Sequence, residues 1–154
     1  MRANLQSIIA GAGLAVALSA SAFAAEIAPT DVKFTDDGVK ESLSGAAGDA
    51  ANGRKVFADR KLGNCLACHV NSDIPEQPFH GEVGPPLDGA GDRWTEAELR
   101  GIVSNSKEMF PDSIMPGFYV DSGQNRVLEK FEGKSILTAQ QVEDVVAYLL
   151  ILKE

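Results

Sequence analysis

From Ala50 onward the apolar residues fall into three runs at helical spacing, parted by long stretches in which no period survives. In the first run Val56 and Phe57 share a face near Gly53, Asp49 stands where an N-cap belongs and Gly63 supplies a stop, which predicts a helix over 50–60. In the second, Thr95 and Glu98 stand as a capping box ahead of Leu99, Ile102 and Val103, with an end predicted at Asn105 or Ser106. The third opens on the capping box Thr138 to Gln141 and runs to about Leu152, with Val142, Val145, Val146, Leu149 and Leu150 inward. A glycine inside a helix costs about 1 kcal/mol relative to alanine. Gly53 is therefore read as a point where another helix comes close, and Tyr148 sits where it would cross there.

The remaining stretches read as loop. Residues 70–92 hold four prolines and several glycines, and Met109 to Val120 contains Ile114-Met115-Pro116-Gly117-Phe118. Residues 121–137 carry charges and the scattered apolar points Val127, Leu128, Phe131, Ile136 and Leu137, and no element is assigned to them. Residues 25–48 lack a sustained period and form an extension, to which Val32, Phe34, Val39 and Leu43 give points for docking on the domain or on a partner. No internal repeat or low-complexity tract occurs.

Before the extension, Arg2, an apolar run from Ile8 to Leu18 and the small residues Ala20 to Ala25 have the form of a secretory signal, with cleavage expected after Ala24. The run is far short of the roughly 20 residues a spanning helix needs, so no membrane span is expected. What is left suits one domain, over 49–154, in a soluble protein exported to the periplasm. With 14 basic against 22 acidic residues the net charge is −8, and more negative once Arg2 leaves with the signal. Such a surface repels nucleic acid. It suits a partner with a basic docking face, or serves solubility alone.

Both cysteines lie in one stretch, Gly63-Asn64-Cys65-Leu66-Ala67-Cys68-His69. Cys-x-x-Cys-His is the spacing of covalent haem attachment: each thiol takes one vinyl group of the same porphyrin, and the adjacent His69 is held where its imidazole binds the iron. A redox dithiol and half of a zinc site compete with this reading. The dithiol needs no neighbouring histidine, and no second cysteine pair exists to close a structural zinc site. A haem held in this way implies electron transfer. In Gly84-Pro85-Pro86-Leu87, proline stiffens the backbone and presents a carbonyl in a set direction, such as an iron-bound histidine uses to fix its ring. Pro116 drives Met115 out of helical geometry, which favours an inward thioether on the second axial face. Met109, in a polar segment, is read as packing, and His80 as a solvent-facing loop residue rather than a second histidine ligand. Trp94 is either core or a donor to a haem propionate.

The order of these parts resembles a class I cytochrome c over nearly all of residues 49–154: a glycine-bearing first helix, Cys-x-x-Cys-His, Gly-Pro-x-Leu, a Trp-led helix, a Met-Pro loop and a tyrosine-bearing last helix. Ser42-Leu43-Ser44-Gly45, Gly48-Asp49-Ala50-Ala51, Leu99-Arg100-Gly101-Ile102-Val103 and Ile114 to Tyr119 further resemble the SoxX family, mono-haem subunits of SoxAX complexes in thiosulfate oxidation. The resemblance implies an all-α class I cytochrome c fold with one covalent haem c, an N-terminal extension and an insertion before the last helix. It implies Cys65 and Cys68 as attachment points, His69 and Met115 as axial ligands, Pro85 orienting His69, Leu87 packing on the haem and Tyr148 packing near Gly53. It also implies a SoxA-type partner, together an L-cysteine S-thiosulfotransferase, with the carrier SoxYZ as substrate protein and a small cytochrome c as electron acceptor. Since both thiols are spent on thioethers, the bond-making cysteine belongs to the partner. A free-standing mono-haem electron carrier is the alternative function, and a haem enzyme or gas sensor with a displaceable Met115 is a third. The extension and residues 121–137 are the segments expected at the partner interface.

Overall fold

The computed structural model describes residues 25–154, so the signal sequence expected over 1–24 lies outside the described residues. Among the described residues four α-helices follow in order: α1 Ala50–Ala58, α2 Ala90–Arg93, α3 Glu96–Met109 and α4 Ala139–Ile151. Short 3-10 turns occupy Pro29–Asp31, Cys65–Ala67 and Glu129–Phe131. Among the described residues there is no β-strand, only an isolated bridge between Thr35 and Gly38. No helix among them is long and apolar enough to cross a membrane.

The caps act where the sequence places them. Asp49 accepts from the N–H groups of Ala51 and Asn52 at the start of α1, and Thr95–Glu98 and Thr138–Gln141 close reciprocal capping boxes on α3 and α4. The frame is the crossing of α1 and α4. A Cβ on Gly53 would lie 1.8 Å from the Asp144 carbonyl oxygen and 2.9 Å from Tyr148 Cβ, so the two backbones meet at a distance only glycine allows. One turn on, Phe57 and Tyr148 pack edge to face with centroids 5.5 Å apart. Tyr148 then reaches through the core. Its hydroxyl donates to Asp73 Oδ2 at 2.8 Å and accepts from Asn71 Nδ2 at 2.9 Å, which fastens the loop after the Cys-x-x-Cys-His stretch to the last helix.

Three boundaries differ from expectation. Helix α1 stops at Ala58 rather than near Arg60, because the Asp59 carbonyl and carboxylate gather the N–H groups of Lys61, Leu62 and Asn64 into a turn. Four residues at Ala90–Arg93, within the expected loop, form α2, where the Gly91 N–H donates to the Leu152 carbonyl beyond α4. Helix α3 continues past Asn105 to Met109, so Met109 lies on a helix and not in the following loop. Asn105 itself leaves helical geometry (φ −153°, ψ 95°). The cause is competition for carbonyls: Phe118 N–H and Tyr119 N–H bond Val103 O and Ser104 O, which an unbroken helix would give to its own next turn.

The extension packs against the helical core. Val39 and Leu43 are 2 % and 0 % exposed, and each such apolar side chain contributes about 1.5–3 kcal/mol by leaving water. A buried ion pair ties the segment down. Arg100 and Glu143, both 3 % exposed, pair at 2.8 Å; Glu143 also accepts from Leu43 N–H, and Arg100 donates to the Val39 carbonyl. Removing residues 25–45 would uncover this pair. Glu143 and Asp144 were not legible as core positions, since their burial depends on donors from distant segments: Asp144 accepts from Asp49 N–H and Asn52 Nδ2. Val142, Val145, Val146 and Leu149 are buried as expected, whereas Leu150 and Ile102 are half-buried.

Candidate haem-binding site

The Cys-x-x-Cys-His stretch begins at a backbone position few residues tolerate. Asn64 is left-handed (φ 49°, ψ 34°), a conformation that asparagine accepts more readily than most side chains, and it turns the chain into the 3-10 turn Cys65–Ala67. Cys68 N–H and His69 N–H both bond the Cys65 carbonyl, at 3.1 and 3.0 Å, so the three functional residues share one tight turn anchored by buried Leu66. Cys65 is half-buried and Cys68 exposed. In the unattached chain burial pushes the Cys65 thiol up to about 12. Among the described residues no group of three or more Cys, His, Asp or Glu is placed to hold a metal ion, as a zinc site would require.

His69 is fixed by main chain. Its Nδ1 lies 2.8 Å from the Pro85 carbonyl oxygen, which can only accept, so Nδ1 carries the proton and Nε2 keeps its lone pair for a metal. Gly84 lies against the ring: a Cβ there would sit 2.3 Å from Cε1 and 2.6 Å from Nδ1. Gly84 N–H bonds Cys68 O at 2.7 Å and Leu87 N–H bonds Val70 O at 2.9 Å, zipping the proline loop to the chain on either side of His69. Arg93, on α2, donates to the Pro86 and Asp88 carbonyls and holds the loop from outside.

An apolar cavity of about 210 Å³ runs from this turn between α3 and α4. It is lined by Cys65, His69, Pro85, Leu87, Trp94 and Met115 among others, so six of the seven residues singled out from the sequence converge on it. Cys68, the seventh, lies at the wider mouth, a space of about 560 Å³ that shares Cys65, His69, Met115 and Phe118 with the cavity. Trp94 stacks edge to face on Phe110, centroids 5.9 Å apart, as one wall. The fit to a haem rests on the donor set: two thiols at one edge, an imidazole with a free Nε2, a thioether, and apolar walls between them. Phe57, Phe118 and Ser106 also line the cavity and were missed, since as core or loop residues they carry no sequence signal of their own.

Two residues considered as rival ligands lie elsewhere. Met109 packs over Gly101, outside the cavity lining. His80 is not the solvent-facing residue expected: it is half-buried, its Nδ1 accepting from Asn71 N–H at 3.3 Å while Nε2 donates to Ile74 O at 3.1 Å, so both nitrogens are committed to the loop. The mouth also departs from the acidic character of the chain. Arg60, Lys61, Arg126 and Lys134 line it, with no Asp or Glu among its lining residues, against a net charge of −8 overall.

The family model described as Cytochrome c matches residues 50–153. A chain in the crystal structure of SoxXA from P. pantotrophus is 48 % identical, with 84 % of this chain and 99 % of that chain covered and a TM-score of 0.78. The chain is a SoxX-type member of the cytochrome c family. As such it has the all-α class I cytochrome c fold and carries covalently bound haem c, for electron transfer. Ferric cytochrome c-550 from Paracoccus versutus is also similar, at 22 % identity over 70 % of this chain and 99 % of that one, with a TM-score of 0.38. No curated protein matches the sequence.

Proposed function

We propose that this SoxX cytochrome is the electron-transfer subunit of a periplasmic heterodimer with a SoxA-type cytochrome, exported by the signal over 1–24, which joins thiosulfate oxidatively to a cysteine of the carrier SoxYZ. The observation that carries this reading is the 48 % identity, over 84 % of this chain, to a chain of a SoxXA structure. In the pair, the L-cysteine S-thiosulfotransferase chemistry belongs to the partner, because Cys65 and Cys68 are consumed as thioethers and no other cysteine exists in this chain. The bound haem supplies a one-electron acceptor, so a two-electron coupling needs a second carrier or two turnovers, with a small cytochrome c as the onward acceptor.

The chain's residues do the rest. Cys65 and Cys68 would hold the haem covalently, His69 Nε2 and the Met115 thioether would ligate its iron, and Pro85 O keeps the proton on His69 Nδ1. Leu87, Trp94 and Phe118 exclude water from the cavity, and a methionine–histidine ligand pair would favour the reduced state more than two histidines would. The basic, partly apolar mouth, with Val83 and Ile114 67 % and 80 % exposed, suits an acidic face on whichever protein approaches the cavity edge. Purification of the native protein from thiosulfate-grown cells tests the assignment. Co-elution with a larger cytochrome subunit is expected; a clean monomer would refute the heterodimer and leave the free-standing carrier.

A further inference from the structure

Met115 sits in an irregular loop, yet both of its backbone polar groups are closed by side chains. Ser106 Oγ and Lys107 Nζ each donate to the Met115 carbonyl at 2.8 Å, which its two lone pairs accommodate. Ser113 Oγ donates to Ser106 Oγ at 3.0 Å and accepts from Met115 N–H at 3.2 Å. Ser106 is 1 % exposed and lines the same cavity as Met115, so water does not compete for its hydrogen bond. The kink makes this possible: with Asn105 out of helical geometry and Lys107 N–H turned to Asn105 Oδ1, the last turn of α3 presents two consecutive side chains to one carbonyl.

We propose that Ser106 and Lys107 are positioning residues for the sixth ligand, a clasp that sets how firmly the Met115 thioether stays on the iron; this rests on Met115 being that ligand. The physical reason is the weakness of the ligand itself. A thioether is uncharged and a poor acceptor, so it offers the iron little electrostatic hold and depends on the loop to keep the sulfur in place. Fixing the Met115 N and O fixes its Cα–Cβ direction, leaving only side-chain rotations to be overcome if another ligand is to enter. Phe118 N–H and Tyr119 N–H, bonded to Val103 O and Ser104 O, staple the loop on its far side, so the clasp is what closes the near side.

The test is competition by added imidazole on the full-length ferric holoprotein, with the methionine-to-iron charge-transfer band as the spectroscopic signature. Ser106→Ala combined with Lys107→Gln is expected to bind imidazole about tenfold more tightly than the native protein and to weaken the band, each single change giving about threefold. Ser106→Thr keeps the hydroxyl and should restore native affinity. Gln140→Ala, which removes donors to Ala47 O and Asp144 remote from the cavity, controls for lost stability and should leave the affinity unchanged. A change of less than twofold in the double variant, or an equal rise in Gln140→Ala, overturns the clasp. Absence of the band in the native protein would instead overturn the Met115 assignment, and the clasp with it.

Discussion

The two faces of the cavity are held by different kinds of chemistry. On the His69 face nearly every restraint is main chain: Pro85 O on Nδ1, Gly84 against the ring, and the backbone bonds of Gly84 to Cys68 and Leu87 to Val70. On the Met115 face the N–H and carbonyl of Met115 itself are restrained by side chains, from Ser106, Lys107 and Ser113. The histidine sits next to its own attachment point in sequence, and its environment is built by short loops that fold back on it. The methionine arrives from 46 residues away in the chain and is secured only once α3 has packed. A main-chain restraint survives most substitutions, and a side-chain restraint does not. The first face is therefore robust except at Gly84 and Pro85, and the second can be adjusted residue by residue.

The comparison can be broken most severely at Gly84. A Cβ 2.3 Å from the His69 ring must displace either the ring or the loop, so Gly84→Ala should cost about 3 kcal/mol and sharply reduce the haem-loaded fraction. Absorbance per protein and thermal unfolding measure both, and a fully loaded, stable variant would show that the ring has room it does not have here. Met115→Ala should be milder for the fold, about 2 kcal/mol, while lowering the reduction potential and letting carbon monoxide bind the reduced protein. Native-like potential and no carbon monoxide binding would show that the second face is closed by another residue.

The smallest effect is expected on the loop after His69, where Asp73 accepts from Arg54 and from the Tyr148 hydroxyl. The hydrogen bond from Arg54 is the larger cause, with that from Tyr148 second, and together they hold the Asp73 carboxyl below its ordinary 3.8. A carboxyl depressed in the folded state stabilises fully above its unfolded value, and that contribution is lost as pH falls through the lower folded one. Asp73→Asn should thus flatten the decline of stability below about pH 4. The change should stay under about 1 kcal/mol, because Arg54 and Asp73 are 36 % and 47 % exposed and solvent screens them. Thermal midpoints measured against pH check this, and an unchanged acid limb would place the linkage on other carboxyls.

Much of the molecule was legible in the sequence because its signals are local. Capping boxes lie within one turn, the haem-binding stretch within five residues, and the proline beside Met115 acts on its neighbour; these named the helices and the residues that now line one cavity. What required the tertiary structure was whatever depends on partners far apart in the chain. The burial of Glu143 and Arg100, the docking of the extension through Val39 and Leu43, and the kink at Asn105 each follow from groups that meet only after folding. The charge of the cavity mouth is the same case: composition reports a sum, −8, whereas folding decides that Arg60, Lys61, Arg126 and Lys134 gather at one opening. The residues that converge on the cavity were thus written along the chain, and the strength with which each is held was decided by packing, because hydrogen bonds and burial are properties of neighbours in space.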